Sequence, residues 1–346
     1  MNQYLNDVLK QPESVREALD FYEAEGYPAA MKKLADGSFN KVVFAGMGSS
    51  HYSNFGAAIH LVSRGVDAVV KSAGEILHYE RNCIDDKTLL VLVSQSGESA
   101  EIVKFLEEQP AAARVVAITN EAESALGKRG DPSFLLHVKP ELSVSTRTYL
   151  TSLILSSMLS RALTGDLDLA FARAVRGSVA LLEKLLSAQE EIEAAMRALM
   201  SDQKYVWLLG RGYSYSTVYG GALFTSELAK FPATGLDAGE FRHGPFEMVD
   251  EHYGAIVLAP DGPSWSANSR MASDIASHGG KAILVTNRRP ADHRKNLLVV
   301  EYGAIDESLS PLVDIGAVEI FANMVAESKG LEVGKFRWGS KVTTVI

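Results

Sequence analysis

At 346 residues and 37.4 kDa, with 47% hydrophobic and 22% charged residues, the chain has the size of two ordinary globular domains. A net charge of −9 and a pI near 5.5 argue against a nucleic-acid surface, which needs a basic stripe. One cysteine, Cys83, rules out an internal disulfide, and no apolar run approaches the roughly 20 residues that span a bilayer.

Residues 1 to about 35 read as helical, with Val8, Leu9, Val15, Leu19 and Tyr22 marking an apolar stripe. Their first residues lack a basic region followed by an apolar core, so no secretory signal is expected and a reducing cytoplasm is. Cys83, in Arg-Asn-Cys-Ile-Asp, shows no nucleophile pattern and reads as structural. Lys41-Val42-Val43-Phe44-Ala45 reads as a buried strand that ends in Gly46-Met47-Gly48-Ser49-Ser50-His51, after which Ala57, Ala58, Leu61 and Val62 recur at helical spacing. Strands follow at 68–70, 89–93 and 114–118. Strands alternating with helices imply a parallel sheet covered on both faces, with ligands outside the carboxyl ends of the strands.

The strand Leu89-Leu90-Val91-Leu92-Val93 stops in Ser94-Gln95-Ser96-Gly97-Glu98-Ser99, and Ile102, Val103, Phe105 and Leu106 then follow at helical spacing. The free N–H groups of a first helical turn favour an anion, Gly97 lets backbone approach closely, and Ser94, Ser96 and Ser99 add hydroxyls. That is a phosphate cradle without lysine. The same residues also suit a plain helix cap, with Ser96 or Ser99 as the capping group.

A long helical stretch from about Thr148 to Met200 breaks near Gly165-Asp166, and then the first half starts again. The strand 204–209 ends in Gly210-Arg211-Gly212-Tyr213-Ser214, the strand 255–259 in Pro260-Asp261-Gly262, and the strand 281–285 in Thr286-Asn287. Gly46 to Gly97 is 51 residues and Gly210 to Gly262 is 52; Gly46 to Asn120 is 74 and Gly210 to Asn287 is 77. Matching strand ends at matching intervals indicate a duplicated domain. Each Gly-x-Gly lacks the third glycine of a dinucleotide fingerprint, and Lys71 stands where that fold wants an acid, so the nucleotide reading is rejected.

The second copy has lost the serines of the cradle and carries Glu227 among apolar neighbours on a helix. The segment Ala238-Gly239-Glu240-Phe241-Arg242-His243-Gly244-Pro245 reads as a loop with acid, base and imidazole. One half thus grips an anion and the other offers proton-transfer groups. The histidines show no metal-ligand spacing, and acid–base groups alone can handle an enediol, so neither metal nor cofactor is expected. His51 stands out because it follows the first Ser-rich turn.

On these residues the chain resembles the sugar isomerase (SIS) family in its double-domain form. The likeness is to the isomerase half of glucosamine-6-phosphate synthase, to glucosamine-6-phosphate deaminases and to fructosamine-phosphate deglycases. The resemblance implies an α/β fold of two tandem SIS domains, each a three-layer, flavodoxin-like parallel sheet flanked by helices. It divides the chain into an N-terminal helical segment (1–35), a first SIS domain with the phosphate loops (36–165), linking helices (166–200), a second SIS domain (201–330) and a tail reaching the site (331–346). Ser94, Gln95, Ser96 and Ser99 resemble the family's phosphate loop, Ser49 and Ser50 its first serine turn, and Ser145 a substrate-contacting turn one residue shorter here.

Glu227 falls at the glutamate that moves a proton between the first two sugar carbons, His243 at the ring-opening histidine often supplied by the neighbouring subunit, and Lys341 at the tail lysine. Phe224 replaces a lysine of the synthase, Arg147 replaces another, and residues 239–247 look more like the deglycases. With neither a glutaminase half nor an N-terminal cysteine in the chain, glutamine-dependent synthesis is not expected.

The implied activity is that of an isomerase-type enzyme on a phosphorylated sugar or amino sugar, with glucosamine 6-phosphate the first candidate. Deglycation of a fructosamine phosphate is the alternative, and a non-catalytic sugar-phosphate sensor the reading from another class. A homodimer with a shared site is expected, and the apolar helix at 151–163 is read as part of its interface.

Overall fold

The computed structural model describes residues 2–108, 114–141, 143–292, 294–343 and 345. The chain forms two compact units: residues 13–141, 145–173 and 337–346 make the first, and residues 1–12, 142–144 and 174–336 the second. In chain order the elements begin with α1 (Gln3–Leu9), α2 (Gln11–Ala24), α3 (Tyr27–Lys32), β1 (Lys41–Gly46), α4 (Ser49–Tyr52) and α5 (Phe55–Ser63). There follow β2 (Asp67–Ser72), α6 (Ala73–Glu75), β3 (Thr88–Val93), α7 (Ala100–Glu108), β4 (Arg114–Thr119), α8 (Ala125–Arg129), β5 (Ser133–Leu135) and α9 (Arg147–Thr164). The helices α10 (Leu169–Ser187) and α11 (Gln189–Met200) lead to β6 (Val206–Gly210), α12 (Tyr215–Ala229), β7 (Ala233–Asp237) and α13 (Ala238–Arg242). The chain closes with β8 (Gly254–Ala259), α14 (Trp265–Ser277), β9 (Lys281–Thr286), β10 (Leu297–Glu301) and α15 (Pro311–Ser328).

Each unit holds one five-stranded parallel sheet, in the order β2-β1-β3-β4-β5 in the first and β10-β9-β8-β6-β7 in the second. Counted within its own unit, the second sheet has the same order as the first. This is the flavodoxin-like order, and the tandem α/β expectation is therefore borne out. The central strands β3 and β8 are buried along their whole length, as a parallel sheet covered on both faces requires. Alternation sorts the side chains. Val43, Ala45, Leu90, Leu92, Val115 and Ala117 pack with Ile102, Phe105 and Leu126, while α5 and α9 lie against β2 and β4.

The apolar helix at 151–163 is core and not the interface expected of it. Residues 151–160 and Ala162 of α9 are buried within the protomer itself, against α3 and α5 of the same unit. Its apolar character is that of a core helix and leaves no face for a partner. No helix among the described residues is long and apolar enough to cross a membrane.

The start of α9 is fixed by Glu141. Its fully buried carboxylate accepts hydrogen bonds from the N–H and hydroxyl of Thr146 at 3.2 and 3.0 Å, and from the N–H and hydroxyl of Thr148 at 3.0 and 2.7 Å. The orphan N–H groups of a helix start and the positive end of its dipole make a carboxylate favourable there. The Lys341 ammonium completes the arrangement, donating to the Glu141 carbonyl at 3.0 Å and to its Oε2 at 3.1 Å. Burial alone would raise the proton affinity of this carboxyl, yet Lys341 and the Thr148 bonds outweigh it and hold the pKa below the usual carboxylate range.

A depressed acid contributes stability that is present above the unfolded pKa and is lost as pH falls through the folded one. Glu141→Gln, which removes one partner of a buried pair, is expected to destabilise the protein by about 3 kcal/mol at neutral pH. The gap from wild type should narrow as pH drops below about 4.3. Denaturant unfolding at a series of pH values measures both, and equal stability of the two proteins at pH 7 would remove the argument.

Candidate functional site

In the first sheet the chain passes from β2 back across β1 to β3, so the loops after β1 and β3 leave in opposite directions and open a crevice at their carboxyl ends. The two strands are in register there, Gly46 opposite Val93. A side chain at Gly46 would stand 2.8 Å from the Val93 carbonyl oxygen, so only glycine allows the strand ends to come this close. Ser49 and Ser50 open α4 directly after β1, and Ser94 through Ser99 lie directly after β3. The fold therefore brings the two serine turns of the sequence side by side.

The second turn is held from within. The Ser94 N–H donates to Ile118 at 3.0 Å, and its Oγ accepts from the Gly97 N–H at 3.1 Å and lies 3.3 Å from the Ser99 Oγ. Ser96 Oγ accepts from the Glu98 N–H at 3.2 Å, and the Gln95 carbonyl accepts from the Asn120 N–H at 2.9 Å. Gly97 has φ +64°, and a Cβ there would lie 2.0 Å from the Ser124 Oγ, so glycine is required twice over. The side chains of Ser49, Ser50, Gln95 and Ser145, all half-buried, make no hydrogen bond among the described residues. Ser49, Ser50 and Gln95 are donors and acceptors left open at the strand-end crevice, and Ser145 is open in the turn before α9.

The first N–H of α7, that of Ala100, donates to the Thr343 carbonyl at 3.0 Å rather than to a loop hydroxyl. Thr343 is two residues beyond Lys341, a span of at most about 7 Å between Cα atoms. The tail thus joins the N-terminus of α7 to the Glu141 turn, and Ser145 lies in that same turn. Lys341, Ser145 and the end of the Ser94–Ser99 loop are brought into one neighbourhood of the first unit. Glu141 is the residue missed in the sequence. A lone acid within the Ser/Thr-rich run before a helix was the signal for it.

In the second unit, Glu227 is half-buried near the end of α12. Lys230 closes the helix in the left-handed conformation (φ +47°) and ties it down, donating to the carbonyls of Glu227 and Lys335, both at 2.7 Å. Phe224, one turn earlier, is 1% exposed and belongs to the core. Three buried groups absent from the sequence reading complete this region: Tyr4 of α1, Gln11 at the start of α2, and Glu319 of α15. Gln11 Nε2 donates to both Glu319 carboxylate oxygens, at 2.9 and 3.0 Å. Burial, and then the charges of Glu319 and Glu227, push the Tyr4 phenol well above its ordinary pKa, so it keeps its proton. Glu319 was visible as an acid in the middle of a largely apolar helix.

His243 is exposed, at the end of α13. The segment expected to be a loop is a single helical turn, because Asp237 caps it. Its Oδ1 accepts from the N–H groups of Gly239 and Glu240 at 2.5 and 2.9 Å, while its other oxygen accepts from the Tyr215 hydroxyl. Arg242 is anchored to Asp274 at 2.6 Å and lies over the Phe246 ring. Glu227 and His243 therefore stand on separate elements of one unit, one half-buried and the other open to solvent. His51, singled out by its place in the sequence, has Nδ1 3.0 Å from the Lys71 carbonyl, and burial lowers its pKa, which favours the neutral ring. Among the described residues no group of three or more His, Cys, Asp or Glu side chains is arranged to hold a metal ion.

Residues 38–161 match the SIS domain. Across 99% of its length the chain is 25% identical to the glutamine–fructose-6-phosphate aminotransferase (isomerizing) of Pyrococcus horikoshii, and it spans 57% of that relative. Two solved structures share the fold. One is the C-terminal domain of glucosamine-fructose-6-phosphate aminotransferase from Francisella tularensis, at a TM-score of 0.88 and 23% identity over 97% of this chain and 98% of that one. The other is the glucosamine-6-phosphate deaminase of Thermotoga maritima, at 0.79 and 17% over 98% and 99%. Residues 38–161 thus match a SIS domain, the two sheets share one strand order, and nearly the whole chain is similar to part of an isomerizing aminotransferase.

Proposed function

We propose that the chain is an isomerase-type enzyme acting on an amino-sugar 6-phosphate, with glucosamine 6-phosphate as the first substrate to test. The observation that carries this reading is the cradle at the first sheet's crossing, with open groups at Ser49, Ser50, Gln95 and Ser145 beside a preformed Ser94–Ser99 turn. In this reading the cradle holds the phosphate. The names of the relatives, an isomerizing aminotransferase and a deaminase, agree with a phosphosugar substrate.

The chemistry then needs a base at the first two sugar carbons. Glu227, beside a phenol that keeps its proton and near the buried Glu319, is given that role. From the open-chain aldehyde, Glu227 takes the proton from C2, the electron pair of that bond forms the C1–C2 double bond, and the π pair of the C1–O bond moves to that oxygen, which takes up a proton to give an enolamine. Return of a proton to C1 leaves an imine at C2. Water adds to that carbon and ammonia departs, so that substrate and water give a ketose 6-phosphate and ammonia. His243 is assigned to ring opening and Lys341, oriented by Glu141, to the sugar oxygens. Phe224 puts an apolar side chain where the synthase carries a lysine, which favours expulsion of nitrogen over full aldose–ketose interconversion. Residues 239–247, which resemble the deglycases, support a fructosamine phosphate as second substrate.

The protein is further proposed to act in the cytoplasm as a homodimer. The exposure of His243 on its own protomer suits a residue lent to the site of a second copy. Sedimentation velocity at micromolar concentration is expected to show a dimer, and a monomer would count against a shared site.

Ser96→Ala is expected to raise KM for the phosphosugar about tenfold or more with the fold intact, each lost bond to a charged group costing about 1.5–3 kcal/mol. Glu227→Gln keeps the shape and removes the base, so the loss should fall on kcat, by about 10²–10⁴-fold. Ammonia release together with solvent deuterium incorporated into the product reads both. Tight binding of a phosphosugar without any proton exchange would replace the enzyme by a sensor.

A further inference from the structure

The duplication raises a question about the crevice of the second sheet, between β6 and β8, which has no role in the proposed function. Its loops keep the glycines of the first cradle: Gly212 stands in the position of Gly48, Gly262 in that of Gly97, and Ser214 in that of Ser50. Ser214 is fully buried, and its Oγ has no hydrogen-bond partner among the described residues. The crevice is also filled. Glu307, at the head of the short 3₁₀ turn Glu307–Leu309 that precedes α15, brings its Oε2 to 2.4 Å from the point where a Cβ on Gly262 would sit. Its Oε1 lies 3.9 Å from the corresponding point at Gly212. One carboxylate thus lies between the loops that follow the two crossing strands.

We infer that Glu307 occupies the anion position of the duplicated cradle, closing a second phosphate site from inside the chain, so that each protomer binds a single phosphate. The inference rests on the reading of the first cradle as a phosphate site. The two neighbouring acids are engaged elsewhere. Asp261 pairs with Arg288 at 3.0 Å, and Asp306 accepts from the N–H and hydroxyl of Ser308 at 2.8 and 2.6 Å. Burial first, then Asp306 and Asp261, raise the Glu307 pKa, as expected for a carboxylate held in a confined place without a cation. Removing Glu307 would leave the two glycine loops and the Ser214 hydroxyl free to meet an incoming oxyanion.

Equilibrium dialysis of the full chain against labelled inorganic phosphate tests this. Wild type should bind one equivalent and Glu307→Ser two. Glu307→Asn, which is shorter by one methylene, serves as the second variant should the serine protein fail to fold by circular dichroism. Wild type binding two equivalents, or a folded Glu307 variant binding only one, would overturn the inference. Ser96→Ala examines the first cradle separately. It should lose the wild-type equivalent, and the Ser96→Ala/Glu307→Ser double variant should bind one. A Ser96→Ala protein that binds as wild type would defeat the first cradle and leave the comparison of Glu307→Ser with wild type to decide the second.

Discussion

The constraint on which this structure depends is the parting of two parallel neighbours, β1 and β3. They run in register to Gly46 and Val93, and the chain after each must then turn to a different face of the sheet. The space left between is small, and Gly46, which has no side chain to meet the Val93 carbonyl and Ser50, lets the two strand ends lie this close. Short serine side chains can then line the crevice without closing it. A larger residue at Gly97 would collide with Ser124, and the turn that presents Ser94 and Ser99 to each other would not form. Geometry of the main chain, ahead of any charge, sets where an anion could be received.

Charge enters by way of buried carboxylates, each with its own answer to desolvation. Glu141 is solvated by a helix start, two threonines and an ammonium, and stays ionised below the usual range. Glu319 is held by a glutamine amide. Glu307 sits without a cationic partner, and its proton affinity rises accordingly. A carboxylate removed from water must be paired, hydrogen-bonded or shifted, and these three groups show each answer in turn. Lys341 gains a defined position from the first of these answers: an exposed tail lysine would otherwise sample many rotamers at the cost of binding entropy.

Duplication followed by divergence accounts for the rest. The same strand order recurs, and the second copy has exchanged serines for Pro260-Asp261-Gly262-Pro263 while retaining the glycines that shape the crossing. In this copy Glu227 stands on α12 and His243 at the end of the one-turn helix α13, which Asp237 caps while it accepts from the Tyr215 hydroxyl.

The sequence by itself determined the sheet class, the repeat and the serine turns. Central strands such as Leu89–Val93 are apolar throughout because both faces are covered, and strand ends in Gly and Ser leave a pattern that spacing alone can match. Only the tertiary structure decided the short strands β5, β7 and β10, whose half-exposed residues lack a clear period. Tertiary structure also decided that the apolar helix at 151–163 is core. An apolar surface carries no label saying whether its own chain or a second copy will cover it. The partners of Glu141, Glu319 and Glu307 were beyond the sequence for a related reason. A carboxylate's chemistry is set by what stands within hydrogen-bonding reach, and for Glu141 and Lys341 that neighbour is 200 residues away along the chain.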